Sequence, residues 1–211
     1  MKNKRNIYVA LTILIILFGC TSTTKKSDSD VDRIQLMLLP EFMAMSMSQS
    51  GYIEILDNAK KDGILNTDAL QVERVRDISY NLINQTYIFR DDTQDWNWEI
   101  NVIDSDLINA FCMPGGKIVV YSGLINKLDA TDDELAAVIG HEIAHALREH
   151  GRERMSSALV QQVGILGFAI FLSNQDGSFI SKQAVLQGVA LGTTLFFALP
   201  NSREQEREAD D

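Results

Sequence analysis

The spacing of hydrophobic residues changes several times along this chain, and each change predicts a different element. The opening "MKNKR" is basic, and the apolar run "IYVALTILIILF" is short for a bilayer span, which is the layout of an export signal over residues 1–19. From Cys20, "TSTTKKSDSD" has no hydrophobic period and reads as a flexible tether over residues 20–32. From about Val31 to Ser50 the text is rich in Met and Leu and predicts a helix. In "YIEILDNAKKDG", Ile53, Leu56 and Ala59 share one helical side, and Gly63 supplies the stop. "TDALQVERVRDISYNLIN" predicts a further helix capped by Thr67, with Val72, Val75, Ser79 and Leu82 on the helical repeat and Ile78 beside them. The period then falls to two. "WNWEINVID" alternates Trp96, Trp98, Ile100 and Val102 with polar neighbours and predicts a half-buried strand, in which the two indoles pack on a sheet face. "MPGG" signals a turn, and "KIVVYSG" a second, more continuously apolar strand.

A well-capped helix follows. In "TDDE", Thr131 and Glu134 fit a capping box, and Asp132 and Asp133 suit the positive end of a helix dipole. Leu135, Val138, Ile139, Ile143 and Leu147 form its buried side. This helix carries all the histidines of the chain: His141, His145 and His150. Residues four apart lie about 40° apart around a helix and about 6 Å along it, so His141 and His145 can offer nitrogens to one ion. Glu142 sits one residue round, beside such an ion, where its carboxylate can take a proton from water. This is the HExxH pattern, whose neutral imidazoles suit zinc and whose incomplete protein shell leaves room for water.

Two nitrogens call for a third ligand. On a continuous helix His150 turns about 140° away from His145 and reads as a solvated helix-end histidine. Arg148 occupies the position of the glycine in the extended form of the pattern. Glu149 shares the right face but lies about 12 Å along the axis from His141. The remaining acids are Glu153, Asp176 and those of "NSREQEREADD", where Pro200 and Asn201 mark the start of another helix. There Glu206 and Asp210 fall on one side, and Glu204 and Glu208 on another. Either pair could supply a ligand and a supporting carboxylate; spacing alone leaves both open.

Composition adds location more than fold. With 211 residues and 45% hydrophobic content the chain can bury a real core, and no basic face suggests nucleic acid at a net charge of −10. "LFGC" resembles a bacterial lipobox, making Cys20 a lipidation site; losing Lys2, Lys4 and Arg5 with the leader takes the charge to −13. Thr21 is not the Asp associated with inner-membrane retention, so the expected location is the periplasmic face of the outer membrane, with the inner membrane as alternative. Cys112, with Cys20 lipidated, has no disulfide partner and sits in apolar text as a packing residue. Within residues 155–199, "ALVQQVGILGFAIFL" and "AVLQGVALGTTLFFAL" read as buried or cleft-covering helices rather than a membrane hairpin, with Gly188 and Gly192 a weak GxxxG.

Together, "DELAAVIGHEIAHALREHGRERMS" and "SREQEREAD" resemble the HtpX and CAAX-prenyl-protease family of zinc metallopeptidases, and more narrowly its bacterial periplasmic lipoprotein branch. The resemblance covers most of the chain after the leader, including "NVIDSDLINAFCMPGGKIVVYSGLI". It implies that Glu206 is the third zinc ligand and that Asp210 holds a ligand histidine. It implies too that the strand at Asn109, Ala110 and Phe111 borders the cleft and pairs with extended substrate. Arg203 is a candidate donor to the reaction's oxyanion or a structural residue. Family members continue beyond the point where this chain stops, so the resemblance implies C-terminal truncation. The expected fold is α+β, a mostly helical zincin-like domain over residues 33–211 with a small sheet beside the HExxH helix. The expected activity is membrane-tethered, zinc-dependent peptide hydrolysis, with one zinc per chain, on misfolded or misassembled envelope proteins. The competing expectation is a chaperone-like assembly factor with structural zinc; the presence of Glu142 favours catalysis.

Overall fold

The computed structural model describes residues 20–21, 34–161 and 201–210. The expected export signal, nearly all of the expected tether, Asp176, Gly188, Gly192 and Asp211 lie outside the described residues, as do residues 162–199 of the paired apolar segments. What is described is mostly helical with one three-stranded sheet, the α+β class that the periodicities predict. No helix among the described residues is long and apolar enough to cross a membrane.

The chain divides into two compact units. One comprises residues 1–22, 33–41 and 152–200. In it β1 (Cys20–Thr21) pairs antiparallel with β2 (Gln35–Leu36). The Leu39 amide donates to Ser156 Oγ at 3.0 Å, and Arg152 Nε donates to the Leu39 carbonyl at 2.6 Å. Glu153, a candidate ligand by composition, is buried here and accepts from the Gln35 side chain at 3.5 Å.

The helix expected from about Val31 is corrected: residues 35–36 are strand, and α1 runs from Glu41 to Lys61 (Glu41–Lys61). Pro40 explains the change, because its ring disfavours helical backbone at the preceding residue and its missing N–H suits a helix start. α1 then absorbs the two separately predicted segments, and Gly63 takes a left-handed φ of 70° just beyond its end. In α2 (Ala69–Ile83) the cap is Asp68 rather than Thr67. Its side chain accepts from the Leu70 and Gln71 amides, which moves the start one residue on.

The larger unit comprises residues 23–32, 42–151 and 201–211. Its sheet has the order β3 (Glu99–Ile103), β5 (Lys117–Tyr121), β4 (Ala110–Met113); β3 is parallel to β5 and β4 antiparallel. Pairing starts at Glu99, so Trp96 and Trp98 precede the strand instead of opening it. Trp98 Nε1 donates to the Thr93 carbonyl at 2.9 Å, anchoring that stretch to a short 3-10 turn. Both indoles pack with the core as expected, and Trp98 lies so close to Gly116 that a Cβ there would stand 2.6 Å from the ring. The core joins one sheet face to two helices. Ile100, Val102, Ala110, Cys112, Ile118 and Val120 meet Val72 and Val75 of α2 and the buried side of α4 (Asp132–Leu147). Leu135 and Ile139 of α4 are fully buried, so truncating either to Ala costs about 2–5 kcal/mol. That packing fixes where α4 lies beside β4. α3 (Ser122–Leu128) links β5 to α4, a further helical run starts at residue 150, and α5 is Arg203–Asp210.

Candidate active site

α4 begins as its sequence predicts. Thr131 Oγ1 accepts from the Glu134 amide at 3.3 Å, and Glu134 returns a carboxylate oxygen to the Thr131 amide at 2.9 Å. The Thr131 backbone N–H, helped by its hydroxyl, holds the Glu134 carboxyl below its ordinary range. The C-terminal end decides more. Arg148 caps the helix, Glu149 turns left-handed at φ 53°, and Arg90 donates to the Leu147 carbonyl at 3.3 Å while pairing with Glu149.

This break corrects the reading of His150. The 140° projection assumed a helix continuing through it, and the helix stops at Leu147. His150 is fully buried, with Nδ1 2.7 Å from His145 Nδ1 and Nε2 2.8 Å from Glu208 Oε2. It points inward, toward the site.

α5 supplies the acids. Ser202 and Gln205 cap it reciprocally, at 2.9 and 3.2 Å. Glu206 and Asp210 lie on the side facing α4. Glu206 Oε2 is 3.3 Å from His141 Nε2, Glu206 Oε1 is 3.6 Å from His145 Nε2, and Asp210 Oδ1 is 2.9 Å from His141 Nδ1. The two Nε2 atoms stand 2.9 Å apart. The alternative pair is divided: Glu208 faces His150, and Glu204 is exposed.

His141, His145 and Glu206 bring three donor atoms within 4.8 Å of one another, a set that can hold a metal ion. Ligand atoms around a tetrahedral ion with bonds of about 2.0–2.1 Å stand about 3.3 Å apart. The observed 2.9, 3.3 and 3.6 Å bracket that spacing. The donor chemistry agrees. With Asp210 accepting from His141 Nδ1–H, the Nε2 of a neutral His141 ring carries a lone pair directed at the cluster.

Other candidates are placed less centrally. Burial pushes the Cys112 thiol well above its ordinary pKa, with the Glu142 charge adding to the shift, so it is a packing residue and not a nucleophile. Arg203 is exposed on the first turn of α5. Asn201, which spacing marked only as a helix start, brings Nδ2 to 3.3 Å from His145 Nε2. Of the strand at Asn109, Ala110 and Phe111, β4 itself begins at Ala110. The Asn109 carbonyl accepts from the Tyr121 amide at 3.1 Å. Asn109 and Phe111 therefore direct their backbone groups toward β5, and Ala110 and Cys112 direct theirs to the outer edge. No strand pairs with that edge among the described residues.

Two histidines one turn apart and a carboxylate from a later helix, with a glutamate following the first histidine, match the pattern of a metallohydrolase class. Residues 69–211 match Peptidase family M48, and the chain belongs to that family. It is 32% identical over 169 residues to the mitochondrial metalloendopeptidase OMA1 of Arabidopsis thaliana, an alignment covering 80% of this chain and 31% of that protein. To metalloprotease LoiP of Escherichia coli K12 it is 28% identical over 209 residues, covering 98% of this chain and 76% of LoiP. To the beta-barrel assembly-enhancing protease of Yersinia pestis it is 30% identical over 114 residues, covering 52% of this chain and 22% of that protein. The chain spans less than half the length of the OMA1 proteins of Arabidopsis thaliana and Bos taurus that it matches.

Proposed function

We propose that this chain is a zinc-dependent endopeptidase in which His141, His145 and Glu206 hold one zinc and Glu142 moves the proton. The observation carrying this reading is the convergence of His141, His145 and Glu206 from two helices far apart in sequence. Zinc, when bound, polarises the scissile carbonyl and makes water acidic enough to lose a proton near neutral pH. Glu142 accepts that proton at its carboxylate and later delivers it to the departing amine. Asp210 holds the His141 ring through Nδ1, which keeps Nε2 free to ligate. The outer edge of β4 takes extended substrate backbone as an added strand through the peptide groups of Ala110 and Cys112. Arg203 remains the candidate oxyanion donor on α5.

Within family M48 the chain is read as a member of the HtpX and CAAX-prenyl-protease-like group, in its bacterial lipoprotein branch. The basis is the run Ser202, Arg203, Glu206, Ala209 and Asp210. Its substrates are misfolded or misassembled envelope proteins, a reading supported by the assembly-related name of the Yersinia pestis relative. Cys20 carries the lipid that tethers it to the periplasmic face of the outer membrane.

The test is a pair of substitutions in the purified protein. Glu142→Gln keeps zinc and loses hydrolysis of unfolded protein by about 10²-fold or more, as expected for a positioned acid–base group. Glu206→Gln loses zinc, and Glu204→Gln keeps it. Equal proteolysis by wild type and Glu142→Gln would sink the protease reading, and rescue of envelope assembly by an inactive protein would favour the assembly-factor alternative.

A further inference from the structure

Behind the three proposed ligands lies a second line of contacts that the proposed chemistry does not use. His145, His150 and Glu208 are 6%, 0% and 3% exposed, and they run in series from the donor cluster into the protein. His145 Nδ1 is 2.7 Å from His150 Nδ1, and His150 Nε2 is 2.8 Å from a Glu208 oxygen. Burying a carboxylate and two imidazoles is costly where apolar side chains could fill the same space. The arrangement therefore calls for a reason beyond packing.

The reason is found by following the protons. A neutral imidazole has one N–H and one lone pair. Glu208, as a carboxylate, can only accept, so His150 must place its N–H on Nε2. Its Nδ1 is then a lone pair facing His145, and His145 must place its own N–H on Nδ1. That leaves His145 Nε2 bare, and Nε2 is the atom directed at His141 and Glu206. In the reverse order two acceptors would face each other at 2.8 Å and His145 Nε2 would be protonated and unable to ligate. Glu208 thus sets the direction of the whole series.

We propose that His150 and Glu208 are positioning residues that hold His145 in its metal-binding tautomer and ring orientation, a carboxylate acting on the ligand through an intervening imidazole. The other ligand is held differently, since His141 contacts the carboxylate of Asp210 directly. α5 therefore serves both histidines: Glu206 and Asp210 on one side, Glu208 on another. This inference rests on the proposal that His145 is a zinc ligand.

Zinc affinity, read by competition with a chromophoric chelator, tests it, alongside thermal unfolding of the metal-free protein. His150→Phe keeps a ring without hydrogen bonds and is expected to weaken zinc binding about 10–100-fold, the usual consequence of removing a partner behind a metal ligand. Glu208→Leu should do the same, and the double variant should lose little more than either alone, because both break one series. His150→Gln, able to accept from His145 and donate to Glu208, should recover most of the affinity. Wild-type affinity in His150→Phe and Glu208→Leu overturns the proposal, as does a His150→Gln protein that folds but binds no better than His150→Phe. Should His150→Phe fail to fold, Glu208→Gln carries the test: it keeps the shape with a weaker acceptor, and severalfold weaker binding is expected where an unchanged value would refute. Two controls separate this proposal from the one beneath it. If wild type binds no zinc, or Glu206→Gln binds it fully, the site reading falls and this one with it. If those controls behave and His150→Phe is unchanged, only the positioning role is lost.

Discussion

Two glycine-to-alanine substitutions, one in α3 and one in α4, should shift stability in opposite directions, because their surroundings differ. Gly123 lies in the first turn of α3, and its amide donates to the Ser105 carbonyl at 2.8 Å. That bond draws the next residues in so closely that an added Cβ would stand 2.5 Å from the Leu107 oxygen and 2.6 Å from the Asp106 carbonyl carbon. Both obstacles are backbone, so the chain itself must move. Overpacking of this kind costs about 1–3 kcal/mol, and loss of the hydrogen bond adds about 1 kcal/mol, against a helix-propensity gain of about 0.5–1 kcal/mol. Gly123→Ala should therefore lose about 1–3 kcal/mol. Gly140 lies inside α4, and the nearest atom to its added Cβ is Leu82 Cδ2 at 4.0 Å, an ordinary contact. Gly140→Ala should gain about 0.5–1 kcal/mol from helix propensity. Urea unfolding followed by far-UV circular dichroism measures both. Because the displaced segment leads into β4, Gly123→Ala should also hydrolyse unfolded protein more slowly, while Gly140→Ala should keep its zinc affinity. A Gly123→Ala protein as stable as wild type would refute the steric reasoning, and a destabilised Gly140→Ala protein would refute the propensity argument.

Three other outcomes are expected, two from the capping of α4 and one from the proposed lipid anchor. Thr131→Ala should cost about 1 kcal/mol through loss of the cap on α4, measured by the same unfolding. Glu134 carries a depressed pKa when folded, so its contribution is present above the ordinary value of 4.5 and lost as pH falls through the folded value. The stability gap between wild type and Glu134→Gln should accordingly be constant near neutral pH and close below about pH 4.5, and a gap that widened on acidification would reverse the sign argued here. Cys20→Ser should abolish lipid labelling and leave an unprocessed precursor. A soluble, unlabelled wild-type protein beginning elsewhere than Cys20 would rule the anchor out.

The features legible in the sequence were those governed by neighbours a few residues away. The capping box at Thr131 and Glu134, the i, i+4 pairing of His141 with His145 and the buried face through Leu135, Ile139 and Ile143 all depend on helical geometry over one or two turns. The same holds for the alternation from Ile100 to Val102 and the turn at Gly115 and Gly116, where φ values of 82° and 79° need glycine. Pro40 and Asp68 moved boundaries by local chemistry that a hydrophobic period does not register. His150 is the clearest miss. Its direction depends on the stop at Leu147, and part of that stop is Arg90, which reaches the Leu147 carbonyl and Glu149 from more than fifty residues away. The choice between the acidic pairs on α5 has the same character, since Glu204, Glu206, Glu208 and Asp210 differ in sequence only by position. Where α5 lies against α4 turns Glu206 and Asp210 to His141 and Glu208 to His150. Periodicity fixes which residues share a face; which face meets which partner is set by packing between elements distant in the chain.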